Sequence, residues 1–185
     1  MEDSSFISMR YFTFLLFMLM SVNMMAQKIE SKKEDPFEGI SVITTGVEKL
    51  SKETLKDPKG QTMFYFESQG PRIYLHLLWQ CRDIYFIPQG ETAILLLDDK
   101  TKIELKAAHD VKPVAGIAST KAVKPAGVWG MDIPYYSLEM DKLEGKKVTD
   151  IRIKTTDGYR DFVVLPKNQS MISECLSLIK SEMAK

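Results

Sequence analysis

Ile151-Arg152-Ile153-Lys154-Thr155-Thr156-Asp157-Gly158-Tyr159-Arg160-Asp161-Phe162 reads as two strands folded back on each other. Ile151 to Lys154 alternates apolar with charged, the period of a strand with one face on a core and one in water. Asp157-Gly158 supplies the positive φ that a two-residue turn requires, which makes this the strongest hairpin signal in the chain. Its strands are expected over residues 149–155 and 160–165.

Working outward, Ile94-Leu95-Leu96-Leu97-Asp98-Asp99-Lys100-Thr101-Lys102-Ile103-Glu104-Leu105 repeats the plan with a different dressing. Its first arm is apolar at every position, as a strand covered on two sides must be, so this hairpin is expected to be central and the other peripheral. Asp98 and Asp99 read as turn formers rather than as paired catalytic acids or calcium ligands, because Asp itself stabilises such turns. Further short runs rich in β-branched and aromatic residues fall at 40–44, 62–67, 73–79, 84–87, 92–97, 102–106 and 135–139, separated by Ser68-Gln69-Gly70-Pro71 and Pro88-Gln89-Gly90. After Asn168 the period changes. Ile172, Cys175, Leu176, Ile179 and Met183 fall at helical spacing, with Asn168 or Ser170 available as a cap and Lys180 and Lys185 toward the C-terminal end. The pattern predicts a helix over 169–184 that covers the sheet. The fold class is therefore mainly antiparallel β, a sandwich or partly open barrel with one C-terminal helix, with α+β as the alternative.

At the other end, Arg10 precedes the apolar run from Tyr11 to Met20, and Met24-Met25-Ala26-Gln27 follows, the order of a basic region, an apolar region and a cleavage site. The reading is a signal peptide over 1–26, a flexible polar leader over 27–36 and a single domain over 37–185, located in the periplasm or outside the cell. The apolar run is short of the roughly 20 residues that span a bilayer, so no transmembrane span is expected after cleavage. The whole chain has 185 residues, with 25 Lys+Arg against 25 Asp+Glu. That balance lacks the field a nucleic-acid binder uses, and nucleic acid is set aside as a partner.

Chemistry is sparse. The two cysteines, Cys81 and Cys175, can pair in an exported chain, stabilising it by about 4 kcal/mol in the chain-entropy model, or can each serve as a small buried apolar residue. Only two histidines exist. His76 lies inside a strand, where a hydrogen-bonded, half-buried imidazole is the expectation; His109-Asp110 opens a loop and is more available. Neither a nucleophile elbow, a zinc spacing, a phosphate-binding loop nor a dinucleotide fingerprint occurs, so no metal and no cofactor is expected. Asn168-Gln169-Ser170 matches a glycosylation acceptor by pattern alone.

Residues 107–134 contain no clear strand run and exceed the usual connection of about 4–6 residues. Long ordered loops in compact domains tend to carry function. This one brings Lys112 and Lys124, then Trp129 followed by Tyr135 and Tyr136, an aromatic platform of the kind glycan and peptide sites use. Trp129, Tyr135, Tyr136, His109, Lys112 and Lys124 are thus the candidate ligand-binding residues.

Tyr136-Ser137-Leu138-Glu139 with Leu143, the run Val148 to Thr155, and Leu95 to Leu105 together resemble uncharacterised secreted β-rich modules of gut bacteria, over about the second half of the mature chain. The resemblance implies export and an antiparallel β fold and carries no activity. The expected function is a non-catalytic binding module of the bacterial envelope, its partner a protein or a glycan. A small secreted hydrolase using His109 and a structural envelope component are the alternatives.

Overall fold

The computed structural model describes residues 28–54, 56–57, 59–115 and 129–185. The signal-peptide reading of 1–26 and Lys124 lie outside them. Eleven strands are hydrogen-bonded into one antiparallel sheet: β1 (Ile29–Glu34), β2 (Ser41–Thr45), β3 (Glu48–Lys49), β4 (Gln61–Gln69), β5 (Arg72–Cys81), β6 (Thr92–Leu97), β7 (Lys102–Ala107), β8 (Val114–Ala115), β9 (Trp129–Tyr136), β10 (Val148–Thr155) and β11 (Gly158–Val163). The spatial order is β1-β2-β4-β5-β9-β7-β6-β10-β11, with β3 added to β4 and β8 to β9. The sheet is not closed into a barrel; a lone bridge between Ser51 and Val164 brings the segment after β3 against the end of β11. Among the described residues a single α-helix, α1 (Met171–Met183), packs on β2 and β4.

The mainly antiparallel class with one C-terminal helix is the class the sequence predicts, and so is the rank of the hairpins. β6 and β7 lie inside the sheet and β11 at its edge. Asp157-Gly158 turns β10 into β11 with Gly158 at φ 103°, and Thr155 faces Gly158 across the closing pair. In the other hairpin Asp99 takes Thr101 N on Oδ1 at 3.0 Å and Lys146 Nζ on Oδ2 at 2.8 Å, bonds that hold its carboxyl down at about 2. The buried apolar residues form one core cluster, to which Phe64, Phe66, Leu75, Leu77, Trp79, Ile133, Leu95, Ile103 and Phe162 come from the strands and Ile172, Leu176 and Ile179 from the helix.

Several expectations are corrected. Residues 29–34, read as a flexible leader, form β1: Ser31 to Glu34 pair with Ser41 to Thr44, and Ser31 and Thr44 hydroxyls meet at 2.7 Å, so backbone pairing orders a segment with little to bury. Its charged side chains suit an edge strand, where they discourage pairing with another sheet. The strand expected over 84–87 reduces to one bridge, Ile87 to Val111, although Tyr85 and Ile87 face inward and Ile84 outward as in a strand. The strand expected over 135–139 comes earlier, over Trp129–Tyr136, so the long irregular stretch is shorter than its sequence implies. Gly130 and Pro134 hid it. Pro134 directs its carbonyl to Ala108 N at 2.8 Å, which places its missing N–H on the side away from β5. Ser170 stands at the helix N-cap without a side-chain capping bond, and Asn168, buried, donates Nδ2 to Lys49 O at 2.6 Å.

Cys81 and Cys175 are buried free thiols, not a disulfide. Cys81 donates to Asp83 O at 3.1 Å at the end of β5, whereas Cys175 lies on α1 beside Thr45 and Glu48. Burial pushes the Cys81 thiol up to about 11 and the Cys175 thiol up to about 12. Since the thiolate is the reactive form, the native protein is expected to leave both thiols unmodified by a thiol-specific reagent at pH 7.5 and to titrate both once denaturant is added. Rapid native labelling of either would contradict this packing.

Candidate functional site

Of the sequence-predicted residues the structure brings few together. Trp129 and Tyr136 stand at opposite ends of β9, roughly 24 Å apart at the rise of an extended strand, so they form no common platform. Tyr135, fully buried, points into the core, where its hydroxyl has no partner in the described structure. Alternation along the strand sends Tyr136 the other way, and it is exposed. His109 and Lys112 are exposed. Asp110 Oδ1 accepts from Gln89 N at 2.8 Å and not from His109, so the adjacent pair forms no base and carboxylate couple.

Tyr136 instead belongs to an open cleft of about 710 Å³ at one end of the sheet. One wall is the turn between β4 and β5 with the start of β5, contributing Pro71, Arg72 and Tyr74; the other is the segment after β9, contributing Tyr136, Leu138 and Asp141. The Leu75–Tyr135 register puts Tyr74 opposite Tyr136, so the two phenol rings start from neighbouring positions on one face. Leu138 is 99% exposed. Asp141 sits in the 3-10 turn Met140–Leu143 and is ion-paired with Lys180 of α1, which ties this wall to the helix. Arg72 is exposed and has no charged partner among the described residues. The cleft thus offers aromatic and aliphatic surface with an arginine that makes no ion pair among the described residues and, on the opposite wall, Asp141 tied to Lys180.

Two residues further along the same face lies a second feature. His76 Nδ1 donates to Asp132 Oδ1 at 2.7 Å, Tyr65 OH donates to Asp132 Oδ2 at 2.8 Å, and the Tyr65 ring stacks on the imidazole at 4.3 Å between centroids. The three come from β4, β5 and β9, adjacent strands whose register sets Tyr65 against His76 and His76 against Pro134, two residues from Asp132. Burial and the neighbouring carboxylate raise the Tyr65 phenol above its ordinary value, which keeps it a donor. The network fixes the ring and leaves Nε2 without a hydrogen-bond partner among the described residues. No hydroxyl or thiol nucleophile bonds to His76, and no group of three His, Cys, Asp or Glu side chains converges, among the described residues. The arrangement can hold an imidazole for a ligand hydrogen bond; it lacks the parts of a triad.

Sequence reasoning anticipated a hydrogen-bonded His76, which the structure buries rather than half-buries, but missed Asp132, Tyr65, Arg72, Tyr74 and Leu138. Arg72-Ile73-Tyr74-Leu75-His76 alternates and could have marked an outward row of Arg, Tyr and His. Nothing local announces the pairing of β5 with β9 that completes it.

No protein-family model matches the chain, and neither a curated protein nor a solved structure matches it. No helix among the described residues is long and apolar enough to cross a membrane.

Proposed function

We propose that the chain is an exported, non-catalytic binding module that takes its partner, a protein or a glycan, in the cleft between the β4–β5 turn and the segment after β9. The observation that carries this reading is the cleft itself: Tyr74, Tyr136 and the fully exposed Leu138 beside the unpaired Arg72. Tyrosine and arginine are the residue types that dominate binding energy at recognition surfaces, and an exposed aliphatic side chain next to them adds apolar area for a partner to cover. Export rests on the order of Arg10, the Tyr11–Met20 run and Ala26-Gln27.

The test is a titration of the isotopically labelled protein with soluble envelope-glycan fragments and, separately, with digests of envelope proteins, followed by NMR. Resonances of Arg72, Tyr74, Tyr136 and Leu138 are expected to move, and Tyr136→Ala, an exposed position whose loss spares the core, is expected to weaken binding at least about tenfold. Binding that leaves these resonances still, or that is unchanged in the folded variant, would contradict the proposal.

A further inference from the structure

The tip between β1 and β2 is built to hold an aromatic ring in solvent. Asp35 Oδ1 accepts Phe37 N at 2.8 Å and Glu38 N at 3.2 Å, Gly39 N returns to Asp35 O at 2.8 Å, and Gly39 takes a φ of 65°. This turn leaves Phe37 94% exposed, between Glu34 and Glu38, which are exposed and without a charged partner among the described residues. The turn's hydrogen bonds thus fix the backbone that carries the exposed ring.

The tip stands beside the cleft. Gly70 N donates to Ser41 O at 3.1 Å, so the β1–β2 hairpin lies directly against the Gly70–Pro71 turn whose far side walls the cleft. One end of the molecule therefore carries an aromatic knob flanked by two unpaired acids and an apolar cleft with one unpaired arginine. Tip and cleft complement each other in shape class and in charge. Phe37 is not among the residues that line its own cleft.

We propose that the partner of the cleft is a second copy of this chain, with Phe37 of each protomer inserted between Tyr136 and Leu138 of the other and Glu38 or Glu34 against Arg72. Because knob and cleft lie at the same end, both insertions can be made at once about a two-fold axis near Pro71, a closed, self-complementary contact that does not propagate into fibres. The proposal rests on the cleft being a recognition surface and names what it recognises.

Sedimentation equilibrium of the full chain over a concentration series tests it. A reversible monomer–dimer equilibrium is expected, and Phe37→Glu and Arg72→Glu, both at exposed positions, should each weaken association at least about tenfold. Mixing the two variants should restore part of it, since that heterodimer keeps one intact knob and one intact cleft facing each other. A photo-reactive phenylalanine analogue at position 37 should cross-link to residues 136–141 of a differently isotope-labelled copy. A monomer at every concentration up to about 1 mM would overturn self-recognition, as would a dimer indifferent to both variants or cross-links to another face. If the chain is monomeric yet binds a glycan or a foreign peptide in a Tyr136-dependent way, self-recognition alone falls; if nothing depends on Tyr136, the cleft reading falls with it.

Discussion

Trp79→Ala is expected to lower the unfolding free energy by about 3–5 kcal/mol, read as a fall in the urea midpoint with little change in slope. Trp79 is fully buried at the centre of a stack: its ring lies 4.7 Å from that of Tyr85 at 11°, and Phe162 meets it edge-on at 5.5 Å. Arg160 in turn covers the outer side of Tyr85 at 4.6 Å. Truncation empties the site where β5, β11 and the 82–87 segment meet, and it orphans the carbonyl of Lys59, which takes Trp79 Nε1 at 2.7 Å. Trp79→Phe keeps most of the apolar area and loses that bond, so it should cost about 1–2 kcal/mol plus a small void. A loss below about 1 kcal/mol for the alanine variant would mean that the stack is not part of the stable core.

The second large effect is expected where no side chain exists. Gly60 has a φ of 77°, and a Cβ built on it would stand 2.0 Å from Gln80 O and 2.8 Å from Cys81 Cα. Both obstacles are backbone, so Gly60→Ala must push the end of β5 away from the start of β4, where Gln61 pairs with Gln80. The expected loss is about 2–4 kcal/mol, above the roughly 1–2 kcal/mol that the left-handed conformation alone costs a residue with a Cβ. Gly90 separates the two causes: it has a φ of 76° with nothing within 4 Å of its would-be Cβ, so Gly90→Ala should show the conformational cost alone. Equal losses at the two positions would show that the close approach at Gly60 relaxes freely.

How far the sequence reveals this protein follows from the range of each interaction. β6, β7, β10, β11 and α1 are readable because each announces itself within a dozen residues: alternation, an Asp-Gly or Asp-Asp turn, a helical stripe. β1 is not, since Ile-Glu-Ser-Lys-Lys-Glu has the composition of a solvated tail and becomes a strand only because β2 offers it a ladder. β9 is obscured by Gly130 and Pro134, residues that weaken a strand locally and are tolerated here by the side on which their polar groups fall. The candidate site was half visible for the same reason. Tyr136 was found as an aromatic at the end of a supposed loop, whereas Arg72 and Tyr74 join it only through the pairing of β5 with β9, and Asp132 meets His76 only through that register. Trp129, grouped with Tyr136 by nearness in sequence, is carried to the far end by the same extended strand.

Native mass spectrometry of the unreduced protein, isolated from its own cells beside the Tyr136→Ala variant, tests the recognition cleft most directly. The predicted spectrum is a mature chain starting near Gln27 with both thiols free and with added mass, a second copy or another partner, that the wild-type protein retains and the variant loses. Identical spectra from the two proteins, whether both bare or both carrying the same added mass, would contradict the account.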